Sequence, residues 1–380
     1  MKWLDTLRSL RRSIDGYAPL IEVGLKRDNL LHNLHTYQEA YLGIGIAPVL
    51  KSNAYGHGLI EVASILDGED IPFFMTDSWY EAQRLRQAGT KHRILIMGYV
   101  RPEIIAGGGL SDIDTAIVDL EQLRELAKIA GQSIRIHIKV DTGMHRQGIL
   151  PGELSEAARI VAGNPMLAVV GICSHFADAD TAGSAHTDAQ LAVWLHVVEE
   201  ARKRFPGIEY RHLAATAGMA HAGGAGGNVA RLGRGLYGFD IAPGSALPLR
   251  PVLELRSIIV SLRSIGKGDA VGYNATHRAA RASRVATVPM GYFEGVSRGL
   301  SNTGVMLVRG HAAPILGRVS MNMTSIDVSD IPNVARGDMV VAISRRPSDP
   351  NSLTHISQAS SAYPNDILVH IPAHLRRVIE

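Results

Sequence analysis

The sequence is poor in cysteine, since Cys173 is the only one among 380 residues. A single cysteine cannot form an internal disulfide or a multi-cysteine zinc site, so neither kind of crosslink supports this fold. Cysteine usage of this kind is typical of a reducing compartment, and we expect a cytoplasmic protein.

A strong charge of one sign and long apolar runs are also absent. The 39 basic residues nearly balance the 36 acidic ones, so the formal charge of +3 gives no electrostatic argument for a nucleic acid or an anionic membrane as partner. No uncharged apolar run reaches about 18 residues, and no membrane-spanning helix is expected. Residues 1–18 read as a short amphipathic helical extension, because charged residues interrupt its apolar positions. These features favour an enzyme with a small-molecule substrate.

Residues 19–245 alternate short apolar runs with stretches of helical periodicity. Eight such units predict a TIM (β/α)8 barrel, an α/β fold whose active site lies at the carboxyl ends of the strands. The strand candidates are Ile44–Leu50, Pro72–Met75, Arg93–Met97, Thr115–Val118, Ile134–Val140, Ala168–Cys173, Tyr210–Ala214 and Val229–Leu232. The helix candidates are Leu59–Leu66, Trp79–Gln87, Leu120–Ala130, Glu153–Ala162 and Asp188–Arg204.

Residues 246–380 have a different pattern. Short runs rich in valine and isoleucine are separated by turns, with almost no helical periodicity, which predicts a separate C-terminal domain that is mainly β. The apolar run 19–25 precedes the first barrel unit and has no evident place in it. This strand could instead cross over to the β domain.

Lys51 stands at the end of the apolar run Ala47–Leu50, before small residues that include Gly56 and Gly58. A lysine at the carboxyl end of a barrel strand faces the predicted active site. An amine withdrawn from water becomes a nucleophile that can hold a carbonyl compound as a Schiff base. A solvated lysine that only marks the end of a strand is the alternative.

Polar residues follow later barrel strands as well. The charged, planar guanidinium of Arg146 is suited to a carboxylate or a phenolate, and a salt bridge with a neighbouring acid is the alternative. Lys139 is unusual inside a strand that should be buried. The loops around Thr216 and Gly233 follow strands seven and eight, where TIM barrels build phosphate sites.

The ten residues Val49–Gly58 resemble the pyridoxal-phosphate attachment motif of the alanine racemase family. Further matching motifs occur in the same order over residues 19–378, namely Ile136–Arg146, Gly171–Phe176, Arg231–Gly238, Ala270–Thr276, Val288–Tyr292, Gly317–Met323 and Asn365–Pro372. The resemblance implies an isomerase that interconverts L- and D-alanine, with pyridoxal phosphate as cofactor and no metal. It also implies a homodimer with shared active sites.

The resemblance assigns the cofactor contacts. Lys51 would carry pyridoxal phosphate as a Schiff base, Tyr55, Thr216 and Gly233 would bind its phosphate, and His175 would stack on its ring. For His175, a satisfied core histidine is the alternative.

Three cationic residues receive further roles from the resemblance. Arg231 would donate a hydrogen bond to the pyridine nitrogen and leave it unprotonated, which makes the cofactor a weaker electron sink and favours prompt reprotonation. Arg146 would contact the ring oxygen and the substrate carboxylate. Lys139 is the position that many members carbamylate, which converts a buried cation into an anion that orients the arginine.

Racemisation needs two bases on opposite faces of the substrate. The resemblance assigns them to Lys51 and to Tyr273, the latter entering from the partner subunit. It places Tyr292 at the entrance and the backbone N–H of Met321 on the substrate carboxylate.

The sequence departs from the family pattern at three positions near these motifs. Asn322 replaces a common aspartate, Cys173 a common tyrosine, and Asn365 a tyrosine near the substrate side chain. The smaller amide of Asn365 predicts a pocket that could accept serine or a larger amino acid as well as alanine.

Three other functions are alternatives to alanine racemisation. A serine or broad-spectrum racemase of the same family is the nearest alternative. A barrel decarboxylase or lyase usually needs a cysteine in the second domain or a metal site, and no cysteine follows Cys173. A non-catalytic cofactor carrier would need only a barrel, whereas this chain adds a β domain with Tyr273.

Overall fold

The computed structural model describes residues 18–221, 224–239 and 247–380. They form two compact units, one of which is Lys26–Val252, while the other combines the described residues up to Leu25 with Leu253–Glu380. The predicted N-terminal helix lies, apart from residue 18, outside the described residues. The predicted boundary after residue 245 also falls outside them.

The unit Lys26–Val252 contains a closed ring of eight parallel strands. After β1 (Glu22–Leu25), which belongs to the other unit, the chain forms β2 (Gly45–Pro48), β3 (Phe74–Thr76), β4 (Ile94–Ile96), β5 (Ile113–Ile117), β6 (Ile134–Lys139), β7 (Leu167–Cys173), β8 (Tyr210–His212) and β9 (Val229–Leu232). Strands β3 to β8 pair in sequence order, and β2 pairs with β9. Parallel bridges Val49–Met75 and Ala215–Arg231 join the two groups. The predicted TIM barrel is confirmed.

Helices alternate with the barrel strands. They are α1 (Arg27–Ala40), α2 (Leu59–Leu66), α3 (Trp79–Gln87), α4 (Pro102–Gly107), α5 (Leu120–Ile129), α6 (Leu154–Ala162) and α7 (Ala185–Arg204). Side chains of Ser78, Asp119 and Ser184 cap the N-termini of α3, α5 and α7. The sequence did not predict α1 or α4, because the buried Asn33 interrupts the apolar stripe of α1 and because α4 is only six residues long.

The other unit is mainly β and contains β10 (Leu253–Ile258), β11 (Ser261–Ile265), β12 (Ala270–Val271), β13 (His277–Arg278), β14 (Ser283–Val288), β15 (Val305–Val308), β16 (His311–Pro314), β17 (Thr324–Asp327), β18 (Met339–Ile343) and β19 (Arg376–Ile379). A six-stranded sheet has the order β16-β15-β18-β10-β1-β19, and β11-β14-β17 form a second sheet. Strand β1 pairs antiparallel with β10 and parallel with β19. The first strand of the described residues is therefore an interior strand of this β unit.

Two helices of the β unit were not predicted, α8 (Leu353–Ser360) and α9 (Pro364–Val369). Each buries only one or two side chains, Ile356 in α8 and Ile367 and Leu368 in α9, so the sequence carries little helical periodicity there. None of the helices in the described part of the chain is long and apolar enough to cross a membrane.

Candidate active site

The backbone after Lys51 forms a left-handed turn at the carboxyl end of β2. Ser52, Asn53 and Ala54 have φ angles of 56°, 56° and 52°, and Tyr55 follows with 52°. A left-handed conformation costs about 1–2 kcal/mol for each L-residue with a Cβ, so four in succession require support from surrounding structure. Strain of this kind sets the direction in which the half-buried Lys51 leaves the strand.

Glu81 of α3 provides that support. Its Oε1 accepts hydrogen bonds from the backbone N–H groups of Ser52 at 2.6 Å and Asn53 at 3.4 Å, and its Oε2 accepts one from Asp77 at 2.9 Å. Asn53 Oδ1 accepts the N–H of Leu59 at 2.9 Å, which ties the turn to α2. The sequence did not reveal this role, because Glu81 stands three residues after Ser78 and reads as an ordinary capping-box residue.

Two hydroxyl groups and a glycine converge at the ends of β2, β8 and β9, and we call Tyr55, Thr216 and Gly233 the cradle. Thr216 Oγ1 accepts the N–H of Gly233 at 3.1 Å and that of Gly235 at 3.4 Å. A Cβ at position 233 would lie 3.0 Å from the Tyr55 hydroxyl oxygen and 3.8 Å from Thr216 Oγ1. Only glycine leaves the space between the two hydroxyls open.

Arg231 lies at the end of β9 and is 2% exposed. Its Nη1 donates to His212 Nδ1 at 2.9 Å, and its Nη2 donates to His175 Nδ1 at 2.9 Å and to the Ser174 and Leu213 carbonyls at 2.7 Å. Within the described residues the Nε–H has no partner. Burial lowers the pKa of Arg231 to about 10, so the guanidinium stays charged at neutral pH.

His175 follows β7 and accepts a hydrogen bond from Arg231 through Nδ1. Burial, together with the positive charges of Arg231, Arg146, Lys139 and Lys51, lowers the pKa of His175 well below its ordinary value. The imidazole is therefore neutral at pH 7, and its Nε2 carries the proton.

Lys139 and Arg146 lie on β6 and on the loop that follows it. The buried Lys139 Nζ donates to Gln147 Oε1 at 3.0 Å. Burial and the charges of Arg146 and Arg231 lower the pKa of Lys139, although Cys173 opposes the shift. Arg146 is exposed and has no ion pair or hydrogen bond among the residues that the structure describes. The alternative for this residue, a salt bridge with a neighbouring acid, is therefore not found there.

A chain of buried polar groups continues from Arg231 through the barrel interior. His212 Nε2 lies 2.9 Å from His137 Nδ1, and His137 Nε2 lies 3.3 Å from Asp114 Oδ2. Asp114, His137 and His212 are fully buried. The sequence reasoning missed all three, although a polar residue inside an apolar barrel strand was a signal that could have identified them.

The candidate residues of the β unit are mostly exposed. Tyr273, in a short 3-10 turn after β12, is 68% exposed, and Tyr292 and Met321 are 43% and 55% exposed. The Tyr292 N–H donates to the Ser320 carbonyl at 3.0 Å, so Tyr292 and Met321 lie on neighbouring segments. Asn365 lies in the first turn of α9, and its buried Oδ1 has no hydrogen-bond partner in the described part of the chain.

The departure at Asn322 has a local explanation. Its Nδ2 donates to Glu294 Oε1 at 2.6 Å, while Glu294 Oε2 accepts the Gly291 N–H at 2.8 Å. An aspartate at position 322 would place a second carboxylate beside that of Glu294, which is buried. The amide of Asn322 instead donates a hydrogen bond to the Glu294 carboxylate.

Replacing Asn322 with aspartate should destabilise the protein at neutral pH. The like charge of Glu294 should raise the pKa of the introduced carboxyl. Because residue 322 is exposed to solvent, which screens the repulsion, the variant should be about 1 kcal/mol less stable at pH 7. A carboxyl whose pKa is raised in the folded state favours folding at low pH and loses that contribution as the pH rises through its folded pKa. The difference in stability between the variant and the original protein should therefore become smaller near pH 4 to 5. Thermal unfolding at both pH values measures the effect.

The same substitution at the exposed Asn333 serves as the control and should leave stability within about 0.5 kcal/mol. A deficit in Asn322→Asp that does not depend on pH would contradict a close pair of carboxylates at this position.

The fold and the site define the class. A TIM barrel carries a lysine, a charged arginine and a hydroxyl cradle at one end, and a mainly β unit is built from the rest of the chain. This arrangement defines a barrel enzyme with an additional β unit. Residues 25–240 match the model of the alanine racemase N-terminal domain, and residues 252–379 match that of the C-terminal domain. The chain belongs to the alanine racemase family, whose members are pyridoxal-phosphate-dependent isomerases.

Individual relatives agree with this assignment. The chain is 38% identical to an alanine racemase of Sorangium cellulosum over 327 residues, covering 82% of this chain and 85% of the relative. The solved structure of alanine racemase from Bacillus anthracis with bound L-Ala-P has a TM-score of 0.86 at 28% identity, covering 96% of both chains. Histidine racemase from Leuconostoc mesenteroides has a TM-score of 0.87 at 27% identity, covering 96% of this chain and 99% of that one.

Proposed function

We propose that this protein interconverts L- and D-alanine with pyridoxal phosphate held on Lys51, and that Lys51 and Tyr273 of the partner subunit are its two bases. The observation that carries the proposal is the grouping of Lys51, Arg231 and the cradle at the carboxyl ends of adjacent barrel strands. Family membership supports the same reaction.

The residues at the barrel mouth fit pyridoxal phosphate. The cradle leaves an open space between two hydroxyls, where a side chain at position 233 would intrude, and this suits a phosphate group. The Nε–H of Arg231, which has no partner in the described part of the chain, suits a ring nitrogen that accepts a hydrogen bond. When bound, the cofactor withdraws electrons from the substrate Cα and makes its proton acidic.

Arg231 keeps its proton in this arrangement. The pKa of Arg231, at about 10, is far above that of a pyridine nitrogen, so the guanidinium donates a hydrogen bond without transferring the proton. Arg231 would in this way leave the ring nitrogen of a bound cofactor unprotonated, which would limit electron withdrawal and favour prompt return of the proton to Cα.

Lys51 removes or returns the proton on one face of the substrate, and Tyr273 does so on the other. An isolated tyrosine in a β domain is commonly a packing residue, but Tyr273 is too exposed to pack in the core. Its exposure, together with that of Tyr292 and Met321, supports a surface that covers the barrel mouth of a second copy. We therefore propose a homodimer whose active sites each combine residues of both chains.

Arg146 and the backbone N–H of Met321 would bind the substrate carboxylate, and Tyr292 would line the entrance. The guanidinium of Arg146 has no partner among the described residues and is available for an anion. Lys139 would be carbamylated, because its lowered pKa increases the fraction of neutral amine that can react with carbon dioxide. The product is an anion beside Arg146 and Arg231, where the unmodified amine adds a third cation.

The free and buried thiol of Cys173 supports a reducing compartment, and we propose the cytoplasm. The partners are then an amino-acid substrate and a second copy of the chain.

Asn365 is proposed to widen the substrate range. Its buried, unpartnered Oδ1 can accept a hydrogen bond from a substrate hydroxyl, so serine should be racemised in addition to alanine.

An assay of purified protein with added cofactor and a panel of L-amino acids, scored for D-product, tests the function. Racemisation of alanine is expected, and no D-product from any amino acid would contradict the proposal.

The variant Asn365→Tyr tests the specificity argument alone. The larger phenol should lower the ratio of serine to alanine activity about tenfold, because it removes space and the amide acceptor. Asn333→Asp, at an exposed position, is expected to leave the ratio unchanged. An unchanged ratio in Asn365→Tyr would contradict the specificity role while leaving the racemase proposal intact.

A further inference from the structure

The buried chain of Asp114, His137, His212 and Arg231, which we call the relay, spans the barrel interior. Its links measure 3.3 Å from Asp114 Oδ2 to His137 Nε2, 2.9 Å from His137 Nδ1 to His212 Nε2, and 2.9 Å from His212 Nδ1 to Arg231 Nη1. TIM-barrel interiors are normally filled by branched apolar residues, so this polar chain departs from the usual packing of the fold.

The two ends of the relay fix the direction of every hydrogen bond in it. Arg231 can only donate, so His212 Nδ1 must accept and the proton of this neutral ring lies on Nε2. His212 Nε2 then donates to His137 Nδ1, and His137 Nε2 carries the proton that it donates to Asp114. A carboxylate can only accept, so the far end requires the same arrangement. Each end alone determines both tautomers, and the two ends agree.

The histidines are neutral and Asp114 is ionised, as this pattern requires. Burial lowers the pKa of His137 and, with the charge of Arg231, lowers that of His212 well below its ordinary value. Burial opposes ionisation of Asp114, but hydrogen bonds from His137 and Arg135 bring its pKa below the ordinary value.

Arginines hold the outer end of the relay in place. Asp114 Oδ1 accepts from Arg93 Nη1 at 3.0 Å and from Arg135 Nε at 2.9 Å. Arg135 is itself fixed by two hydrogen bonds of 2.9 Å to the Glu209 carboxylate. Because Oδ1 receives two cationic donors, Asp114 is oriented with Oδ2 toward His137.

We propose that Asp114 is a positioning residue that acts through the tautomers of His137 and His212 to hold Arg231 with its Nε–H facing the barrel mouth. This inference rests on the proposed role of Arg231 toward the cofactor nitrogen. The relay presents a lone pair to Nη1 of Arg231, so the guanidinium cannot rotate without leaving a buried donor unpaired. Asp114 itself touches neither substrate nor cofactor.

The substitution Asp114→Asn should reverse the relay. The carbonyl oxygen of the introduced amide would stay with the two arginines, and its NH2 group would face His137 Nε2. Both histidines would then move their protons to Nδ1, and His212 would present an N–H to Arg231, which has no acceptor. Two N–H groups would then face each other at Nη1, where only the His212 carbonyl at 3.1 Å would remain as an acceptor. Nη2 would keep its three acceptors, so the substitution would loosen the guanidinium at its Nη1 side.

Ring ¹⁵N spectra of histidine-labelled holoenzyme test the tautomers directly. In the unmodified protein His137 and His212 should both carry the proton on Nε2, and in Asp114→Asn on Nδ1. The signals are assigned by their loss in His137→Gln and His212→Asn. A proton on Nδ1 of either ring in the unmodified protein would contradict the relay, and this holds even if the variant fails to fold.

Kinetics test the link to function. Asp114→Asn should lower kcat about tenfold or more and change KM for alanine less than about twofold, because the relay contacts no substrate atom. Asp119→Asn, the same exchange at a helix N-cap, is the matched control and should keep both constants and the tautomers. A normal kcat in Asp114→Asn with reversed tautomers would contradict the positioning role.

A double variant separates the relay from a general structural effect. In His212→Asn the amide oxygen replaces Nδ1 as acceptor for Arg231, but the connection to His137 is lost. Adding Asp114→Asn to this variant should cause no further loss of kcat, whereas a full additional loss would contradict action through the histidines. If the protein binds no cofactor and racemises nothing, the proposed function fails, while the spectra still decide the tautomers.

Discussion

Replacing Lys51 with alanine is expected to abolish stable cofactor binding and to lower racemisation by about 10⁴-fold in both directions. The substitution removes the proposed covalent anchor and one of the two bases at once. The side chain leaves β2 just before a left-handed turn that Glu81 holds, and alanine at this position leaves no amine there. Visible absorbance after gel filtration measures cofactor retention, and production of D-alanine from L-alanine measures activity.

Lys91→Ala is the matched control, because Lys91 is exposed on the barrel unit and lies outside the proposed site. It should retain both the absorbance and the activity. Full activity in Lys51→Ala would contradict the anchor and the base together, whereas retained absorbance without activity would contradict only the anchor.

Replacing Tyr273 with phenylalanine is expected to lower racemisation about 10³-fold in both directions while the cofactor remains bound. Only one oxygen is removed, and the side chain is 68% exposed, so the stability should stay within about 0.5 kcal/mol of the original. A racemase that loses one base cannot complete proton transfer from one face to the other, whichever enantiomer is supplied.

Tyr80→Phe supplies the matched control for this prediction, since Tyr80 is 66% exposed on the barrel unit. Its rates should not change. Equal rates in Tyr273→Phe and the original protein would show that another group serves the second face.

The barrel could be predicted from the sequence because its strands are apolar runs that alternate with periodic helices. The strand Val229–Leu232 and the helices Leu59–Leu66 and Trp79–Gln87 have the predicted bounds. The resemblance to the alanine racemase family is confirmed by matches that cover both units. Lys51 could be identified as a candidate site residue because it follows an apolar run and lies within a ten-residue motif.

The parts of the site that the sequence did not reveal depend on contacts between distant residues. Glu81 contacts the Lys51 turn from α3, the helix that follows β3, and Asn322 contacts Glu294 from a separate segment of the β unit. The relay joins Asp114, His137 and His212 from three different strands, and each of them alone reads as an irregular polar residue in an apolar run. Sequence periodicity describes one helix or strand at a time, whereas these hydrogen-bonded groups form between elements that are distant in the sequence and adjacent only in the fold.

Mixing two inactive variants tests most directly whether an active site combines Lys51 of one chain with Tyr273 of another. Lys51→Ala and Tyr273→Phe are mixed in equal amounts, the dimers are dissociated and reassociated, and alanine racemisation is measured. Half of the dimers should be hybrids, and each hybrid should contain one intact site, so about a quarter of the original activity should return. No return of activity in a mixture that does form hybrid dimers would contradict the shared site.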